Sequence, residues 1–373
     1  MEPFYPLRAL VCAQCFLVQL EEYESPDHIF SDYAYFSSYS SSWLEHSQRY
    51  AEQMVAQLDL GAQSHVVELA SNDGYLLQYF VEAGIPVLGV EPAANVAAVA
   101  QANGVPTVVR FFGREAALEL RGEHGADLIV GNNVLAHVPD VNDFVAGLKL
   151  LLKPGGAITM EFPHLLKLVD EVQFDTIYHE HFSYLSFSTA HRIFAAHGLE
   201  LFDVEELPTH GGSLRIYGRH EDDAAEPVRD SVHELLRRED EAGYNDLAVY
   251  AAFAERVKRE KREILSFFLD AKKRGSSIAG YGAPAKGNTL LNYCGIRTDF
   301  IDYTVDRNPH KQGHYLPGSR IPILDPGEVE RTRPDFLFIL PWNLKDEVME
   351  QMSVIREWGG RFVVRSPGLR VYP

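Results

Sequence analysis

Short runs of apolar residues alternate with stretches of helical periodicity along most of the chain. Such runs, bounded by Gly, Pro or Asn, predict buried strands, and apolar positions three and four residues apart predict amphipathic helices. In the first part of the chain the predicted strands are residues 65–69, 86–90, 106–109, 126–131, 156–161, 199–206 and 212–218. In the last part they are residues 277–281, 300–305, 336–340 and 361–364. The alternation predicts two Rossmann-like α/β domains, the first of which ends in an antiparallel hairpin.

The same pattern predicts the order of segments along the chain. Residues 1–43, which are rich in Tyr, Ser and Phe, are expected to be a lid or connector. Residues 44–222 form the first predicted α/β domain, residues 223–274 a helical linker, and residues 275–373 the second α/β domain. The charged run 237–241 in the linker is expected to lie on a solvated face.

The charge balance narrows the choice of partners. Lys and Arg total 34 and Asp and Glu total 53, which gives a formal net charge of −19. This charge repels nucleic acid and anionic membranes at long range. No apolar stretch approaches the roughly 20 residues that span a bilayer, and the first residues lack the layout of a signal peptide. We therefore expect a cytoplasmic enzyme with no nucleic-acid or membrane partner.

A tight turn after the first predicted strand is the first candidate ligand site. The strand contains Glu68 and the turn contains Gly74, which lets a ligand approach the backbone. The next strand ends in Glu91, whose carboxylate can accept hydrogen bonds from ribose hydroxyls. The turn lacks the G-x-G-x-x-G series of dinucleotide sites, which disfavours NAD. These features predict a nucleoside site; the alternative is a satisfied carboxylate beside a plain turn.

The segment from Glu68 to Gly74, together with Glu91 and the strand-end pair Asn132-Asn133, resembles the class I S-adenosylmethionine (SAM)-dependent methyltransferases. The turn at residues 153–156 also fits that family. The resemblance implies SAM as the cofactor, with Glu68 near its amino acid portion and the Asn pair near its adenosine. The residues expected to bind it are Glu68, Ala70, Asn72, Gly74, Tyr75, Glu91, Pro92, Asn132, Asn133 and His137.

A loop after the fifth predicted strand is unusually rich in functional side chains. It contains Tyr178, His179, Glu180 and His181, and His210 follows on a Gly-rich turn. Metal binding is disfavoured, because His residues two apart point to opposite sides of a strand and share no helical face. An alternative interpretation of these residues is a buried polar cluster that holds the loop in place. We favour acid-base chemistry, since methylation of a carbon beside a carbonyl needs a base and His titrates near neutral pH.

Four motifs extend the resemblance over nearly the whole chain. They are Tyr-Phe-Ser-Ser-Tyr-Ser (35–40), Glu-His-Phe (180–182), His-Gly-Gly-Ser (210–213) and Gly-Tyr-Gly-Ala-Pro-Ala-Lys-Gly (280–287). Together they resemble the three-domain sugar C-methyltransferases of deoxysugar biosynthesis. The resemblance implies a nucleotide-linked keto-sugar as substrate, methylated at C-3 of a 4-keto sugar, with His181 as the base. The candidate catalytic residues are His181, Glu180, Tyr178, His210 and either Tyr35 or Tyr39.

A second Gly turn, residues 281–289, follows a predicted strand and opens a helix. Its backbone amides and Lys286 can face a phosphate, although its spacing is not that of a Walker loop. The alternative is a degenerate domain that only packs and binds no ligand. The resemblance implies that this domain helps to hold the nucleotide sugar. The residues expected to do so are Lys286, Gly287, Asn288, Thr289 and Asp306.

Cys12 and Cys15 have the spacing of half a zinc knuckle. A closed structural site needs four ligands, and the third thiol, Cys294, is remote in sequence. The related family carries a further Cys pair upstream, so residues 1–43 are interpreted as the remnant of a zinc-binding segment. Zinc is expected only where that missing pair is present.

Two other functions compete with methyl transfer. An NAD(P)-dependent nucleotide-sugar oxidoreductase would also use two Rossmann-like halves, and a nucleotide-sugar binding protein would need no catalysis. The chemistry of the first turn disfavours the oxidoreductase, and a catalytic base beside a complete cofactor site would be of no use to a binding protein.

Overall fold

The computed structural model describes residues 2–31, 33, 36–122, 125–223 and 227–373. Contacts divide the chain into two compact units. The first unit consists of Leu10–His164 and His179–Asn245, and the second of Met1–Ala9, Leu165–Tyr178 and Asp246–Pro373. Each unit gathers segments that are distant in sequence. The domain limits drawn from the sequence stay a prediction.

The secondary structure of the described residues alternates between strands and helices. The strands are β1 Ala9–Val11, β2 Val18–Leu20, β3 Val66–Leu69, β4 Val87–Glu91, β5 Thr107–Val109, β6 Ala126–Asn132, β7 Leu152–Pro163, β8 Ser183–Tyr184, β9 Leu199–Leu207, β10 Ser213–His220, β11 Ile278–Tyr281, β12 Thr304–Val305, β13 Ile323–Leu324, β14 Phe336–Ile339, β15 Arg361–Val364 and β16 Arg370–Tyr372. The helices are α1 Pro26–Phe30, α2 Ser41–Gln57, α3 Leu77–Glu82, α4 Ala94–Ala102, α5 Arg114–Leu120, α6 Val141–Leu151, α7 Leu165–Asp170, α8 Phe187–Ala196, α9 Asp230–Glu241, α10 Leu247–Lys273, α11 Ala285–Cys294, α12 Gly327–Thr332 and α13 Lys345–Gln351.

The main sheet of the first unit has the strand order β5-β4-β3-β6-β7-β10-β9. Strands β3 to β7 are parallel, and β10 pairs antiparallel with both β7 and β9. The chain therefore runs from β3 outward to β5 and returns to the other side of β3 with β6. Ligands of doubly wound sheets bind at the carboxyl ends of the strands where the order reverses. The topology places that point at the ends of β3 and β6.

Helices cover both faces of this sheet because each has one apolar side. Tyr50 and Met54 of α2 and Phe80 of α3 are buried in one core cluster. Phe144 of α6 and Phe194 of α8 are buried in another. Helix α2 begins where the Ser40 side chain accepts a hydrogen bond from the Trp43 N–H, as an N-terminal cap requires. The first turn of α2 thus has a defined position.

The predicted α/β fold and the predicted antiparallel hairpin are confirmed. Two details differ from the prediction. Residues 153–156 were read as a turn but form a bulge inside β7, since Ala126 pairs with Leu152 whereas Leu128 pairs with Ala157. The predicted strand at 300–305 is confined to Thr304–Val305, because the preceding residues close a turn in which the N–H groups of Phe300 and Ile301 both bond to Arg297.

The second unit contains another parallel sheet, in the order β13-β12-β11-β14-β15-β16. Only β16, at the edge, is antiparallel to its neighbour among these described strands. Here the order reverses between β11 and β14, so the expected ligand position is the end of β11, where the second Gly turn begins. Phe268 of the long helix α10 and Leu290 of α11 are fully buried against this sheet.

The expectation that the charged run 237–241 lies on a solvated face is wrong for Glu239. This residue of α9 is buried rather than solvated. Its carboxylate lies 2.7 Å from His164 Nε2 and accepts hydrogen bonds from the N–H groups of Phe187 and Ser188 at the start of α8. The carboxylate thereby satisfies backbone donors that a helix start leaves unpaired.

In the described part of the chain, no helix is both long and apolar enough to cross a bilayer.

Candidate active site

The backbone at the carboxyl ends of β3 and β6 is held in an uncommon conformation. Ala70, Asn72 and Asn133 have φ values of 54°, 51° and 56°, although none is Gly. Gly74 has φ 81°, and a Cβ there would lie 3.0 Å from the Val105 side chain. Non-Gly residues with positive φ cost free energy and concentrate at ligand sites. The structure therefore brings together the predicted turn after β3 and the predicted strand end at Asn132 and Asn133, at the switch point of the sheet.

Glu91 lies at the end of β4, and its carboxylate is hydrogen-bonded to the turn after β3. Its carboxylate accepts hydrogen bonds from the Asn72 N–H (2.9 Å) and the Ala93 N–H (2.8 Å). Burial raises the pKa of Glu91, and the two backbone donors offset part of that rise. Each oxygen retains capacity for a further donor. Glu91 thus both fixes the turn and is able to accept hydrogen bonds from a ligand.

Several buried polar atoms around this turn lack partners among the described residues. They are both carboxylate oxygens of Glu68, the amide nitrogen and oxygen of Asn132, Asp73 Oδ1, Asn133 Oδ1 and Ser71 Oγ. The Tyr75 hydroxyl lies beside Glu68 and Asn132. Burial raises the pKa of Glu68 well above its usual value. Because buried polar groups are rarely left unpaired, this cluster fits a polar ligand such as SAM.

Part of the N-terminal segment, which the sequence predicts to be a lid or connector, is hydrogen-bonded to the turn after β3. The Ser37 N–H donates to Asn72 Oδ1 (2.9 Å), and the Ser38 N–H and hydroxyl both donate to Asp73 Oδ2 (3.1 and 2.6 Å). Further along, the Tyr33 main chain exchanges two hydrogen bonds with Asn95 of α4. The density of Ser and Tyr in residues 33–40 and the motif at 35–40 are the sequence signals that point to this segment.

His181 and His137, predicted separately as a base and a cofactor contact, meet in the structure. Their ring centroids lie 4.6 Å apart at 73°, and His181 is 8% exposed. His137 Nδ1 lies 2.7 Å from the Glu180 carbonyl oxygen, so that nitrogen is assigned the hydrogen. Burial lowers the pKa of His137 to about 4, which keeps its ring neutral at pH 7. Burial also raises the pKa of Glu180, whose carboxylate accepts a 3.5 Å hydrogen bond from the Tyr33 hydroxyl.

The other candidate catalytic residues lie in different surroundings. His210 has φ 54° and contacts the edge of Trp43, with ring centroids 5.2 Å apart. Tyr39 is 76% exposed and stacks on Phe36. Tyr178 belongs to the second unit, whereas His181 belongs to the first. The other tyrosine candidate, Tyr35, lies outside the described residues.

Lys286 of the second Gly turn lies among aromatic and polar groups of the second unit. Lys286 Nζ lies 5.0 Å from the centroid of the Trp342 ring and donates to Asn343 Oδ1 (2.6 Å). Burial lowers the pKa of Lys286 to about 8. The Thr289 hydroxyl donates to the Ile177 carbonyl, and Asn288 Oδ1 is buried without a partner among the described residues.

Asp306 repeats the arrangement of Glu91 in this second sheet. It follows β12 and accepts hydrogen bonds from the Ala283 N–H of the Gly turn and from the Asn308 N–H, both at 2.8 Å. Glu91 likewise bonds to the turn after the preceding strand and to the residue two positions ahead. Both switch points therefore carry an acidic side chain that is held by backbone amides.

Cys12 and Cys15 form a tight turn with the two thiols on one side. Hydrogen bonds from the backbone of Cys15 and Gln14 lower the pKa of the Cys12 thiol, as in a turn that favours thiolates. In the part of the chain that the structure describes, no group of three or more His, Cys, Asp or Glu side chains is placed to hold a metal. The pair therefore fits half of a zinc site and supplies too few donors for a closed one.

Comparison with known proteins agrees with this architecture. A model of the C-methyltransferase C-terminal domain matches residues 208–367, a methyltransferase domain model matches residues 43–204, and a zinc-binding domain model matches residues 1–30. C-methyltransferase NovU from Streptomyces niveus is 38% identical over 371 residues, which cover 99% of this chain and 88% of NovU. The fold is that of a class I SAM-dependent methyltransferase. The chain belongs to the C-methyltransferase family, as its sequence resemblance had indicated, and its cofactor is SAM.

Two solved structures overlap with about half of the chain. The PH0226 protein from Pyrococcus horikoshii OT3 is 13% identical, with a TM-score of 0.41 over 54% of this chain and 99% of that one. Magnesium protoporphyrin IX methyltransferase from Synechocystis PCC 6803, which has SAH bound, is 15% identical, with a TM-score of 0.38 over 47% of this chain and 82% of that one.

Proposed function

We propose that this enzyme methylates a carbon beside the ketone of a nucleotide-linked deoxysugar, and that His181 is the base. The observation that supports this most is the contact of His181 with His137, which follows the strand end expected at the cofactor. A base beside His137 would lie close to SAM, which supplies the methyl group. The name of NovU, a C-methyltransferase, supports a carbon nucleophile. The four motifs are the support for C-3 of a 4-keto sugar as the position.

The chemistry divides between the cofactor and the chain. Bound SAM supplies a methyl group on a positively charged sulfur. His181 takes the proton from the carbon next to the ketone, which leaves an enolate whose carbon forms the new bond. The neutral ring of His137 adds no positive charge beside His181. Glu180, Tyr178 and an N-terminal tyrosine are proposed to orient the base or bind the enolate oxygen, and His210 to contact the substrate.

We propose that SAM binds at the ends of β3, β4 and β6, with Glu91 accepting hydrogen bonds from its ribose. Glu91→Ala is expected to weaken SAM binding by an amount on the order of 1.5–3 kcal/mol, or roughly 10- to 150-fold. Calorimetric titration with SAM measures the change.

Controls are needed because Glu91→Ala also leaves the Asn72 and Ala93 N–H groups without their acceptor. Glu91→Gln keeps one acceptor and should have an intermediate affinity. Glu82→Ala, which removes an exposed carboxylate from α3, should bind SAM as the wild type does. A folded Glu91→Ala variant with unchanged affinity would place the ribose elsewhere. Titration with NAD, which should show much weaker binding, tests the oxidoreductase alternative.

We propose that the nucleotide of the substrate binds at the end of β11, where Lys286 faces its phosphates. Lys286 is charged below its pKa of about 8 and neutral above it. The affinity for a nucleoside diphosphate should therefore fall as the pH is raised from about 7 to about 9. Lys286→Met should bind weakly and without this pH dependence, whereas Lys258→Met, an exposed position on α10, should behave like the wild type. Binding that is independent of pH in the wild type would contradict a contact between this ammonium group and the phosphates.

A further inference from the structure

A buried charged network lies beside the proposed cofactor site and is not used by the mechanism above. Glu161 of β7 pairs in register with Asn132 of β6 and is fully buried. Its Oε2 lies 2.9 Å from His46 Nε2 and 3.0 Å from Arg215 Nη2, and its Oε1 accepts a 2.7 Å hydrogen bond from the Thr209 hydroxyl. Three partners from α2, β10 and the loop before it thus converge on one carboxylate.

The protonation of this network follows from its geometry. Burial alone would raise the pKa of Glu161, yet the hydrogen bond from His46 and the charge of Arg215 lower it, so the carboxylate is ionised. An ionised acceptor requires hydrogen on His46 Nε2. The 3.1 Å approach of Arg215 Nη2 to the same nitrogen is then a contact and not a hydrogen bond. His46 is therefore held in one orientation at the start of α2.

A row of rings connects this network to the cofactor turn. The His46 ring stacks on Trp43 at 4.9 Å and 19°, and Trp43 stacks on Tyr75 at 6.0 Å and 29°. The Tyr75 hydroxyl lies beside Glu68 and Asn132, whose buried polar atoms lack partners among the described residues. The position of Tyr75, and with it the shape of the site around these two side chains, depends on the rings behind it.

We propose that Glu161, His46 and Trp43 are positioning residues of the cofactor site. Glu161 orients His46, the His46 ring holds Trp43, and Trp43 fixes Tyr75 against the end of the site where Glu68 and Asn132 meet SAM. This inference rests on the proposed position of SAM. It predicts that His46 and Trp43 act through the same sequence of contacts. Loss of either ring should therefore weaken SAM binding to the same extent.

The test is a double-mutant cycle on SAM affinity that leaves Glu161 in place, since its loss would strand Arg215 as a buried charge. His46→Leu and Trp43→Leu should each raise the Kd for SAM by about 3- to 10-fold, the loss expected for one ring contact. The double variant should be no weaker than either single one. Trp43→Phe, which keeps a ring, should retain most of the affinity. Turnover at saturating SAM should change by less than about 2-fold in His46→Leu.

Two controls separate positioning from simple stabilisation. Gln48→Leu, at an exposed position of the same helix, should leave the Kd unchanged. A purely structural role of the rings would reduce the number of binding sites per chain and leave the Kd of the remaining sites at the wild-type value. That result, or additive losses in the double variant, would overturn the inference. If Glu91→Ala also left the Kd unchanged, the proposed SAM site itself would be wrong. If the Kd rose in Glu91→Ala but not in the ring variants, only the role of the rings would be refuted.

A spectroscopic signal gives an independent check. Of the three Trp residues, Trp43 belongs to the first unit, and Trp342 and Trp358 belong to the second. Addition of SAM should change the tryptophan emission of the full chain, and Trp43→Phe should abolish that change. A ligand-induced change that persists in Trp43→Phe would contradict a contact of this row with the cofactor site.

Discussion

Replacing His181 with Asn is expected to lower turnover by about 10²- to 10⁴-fold, the usual contribution of a positioned base. The affinity for SAM should be nearly unchanged, because the cofactor's proposed polar contacts lie at the ends of β3, β4 and β6. His181 is buried against His137 and Tyr184, and Asn fills less space without adding a charge. Steady-state rates with a nucleotide-linked 4-keto sugar, together with calorimetry for SAM, measure the two quantities.

The neighbouring His179 provides the matched control. It is partly exposed, and its ring lies 6.3 Å from that of Tyr23. His179→Asn should therefore have a milder effect. Exchange of the substrate's α hydrogen with deuterated water, followed without methyl transfer, reports proton abstraction alone and should be lost in His181→Asn. Wild-type exchange and turnover in that variant, with both abolished by substitution of His179, His210 or a tyrosine, would show that another residue is the base.

Removing the carboxylate of Asp175 is expected to destabilise the second unit by about 3–5 kcal/mol, because a buried guanidinium would lose its partner. Arg365 is fully buried and pairs with Asp175 through both Nε and Nη2. The same carboxylate accepts a 2.8 Å hydrogen bond from Trp342 Nε1. Asp175→Ala would leave both donors unsatisfied, and urea unfolding of the variant measures the loss.

An exposed ion pair of the same unit serves as the comparison. Glu255 and Lys258 are paired on α10 with more than half of each side chain exposed. Glu255→Gln should therefore leave the unfolding midpoint unchanged, since solvated pairs contribute little. Unaltered stability in Asp175→Ala would mean that the Val172 carbonyl and the rings of Phe174 and Trp342 suffice to satisfy Arg365.

Much of the architecture could be predicted from the sequence. Apolar periodicity located β3, β4, β5, β6, β11, β14 and β15 to within one residue at each end, because burial on both faces leaves a continuous apolar run. The turn after β3 and the acidic residue at the end of β4 were visible because the Gly position and the strand end are local features. The short strands β1, β2, β8, β13 and β16 were missed, since two or three residues carry no periodic signal. The role of each predicted site residue stays a prediction.

What the sequence determined by itself is therefore the order and type of the longer elements, the two switch-point turns and the family. Tertiary structure decided which polar side chains share a site. His46 and Glu161 are 115 positions apart, and Asp175 and Arg365 are 190 positions apart. No periodicity or spacing rule connects such pairs, because their contact depends on how sheets and helices pack. The same packing buried Glu239, which a helix pattern alone had assigned to solvent, because hydrogen bonds at the start of α8 satisfy its charge.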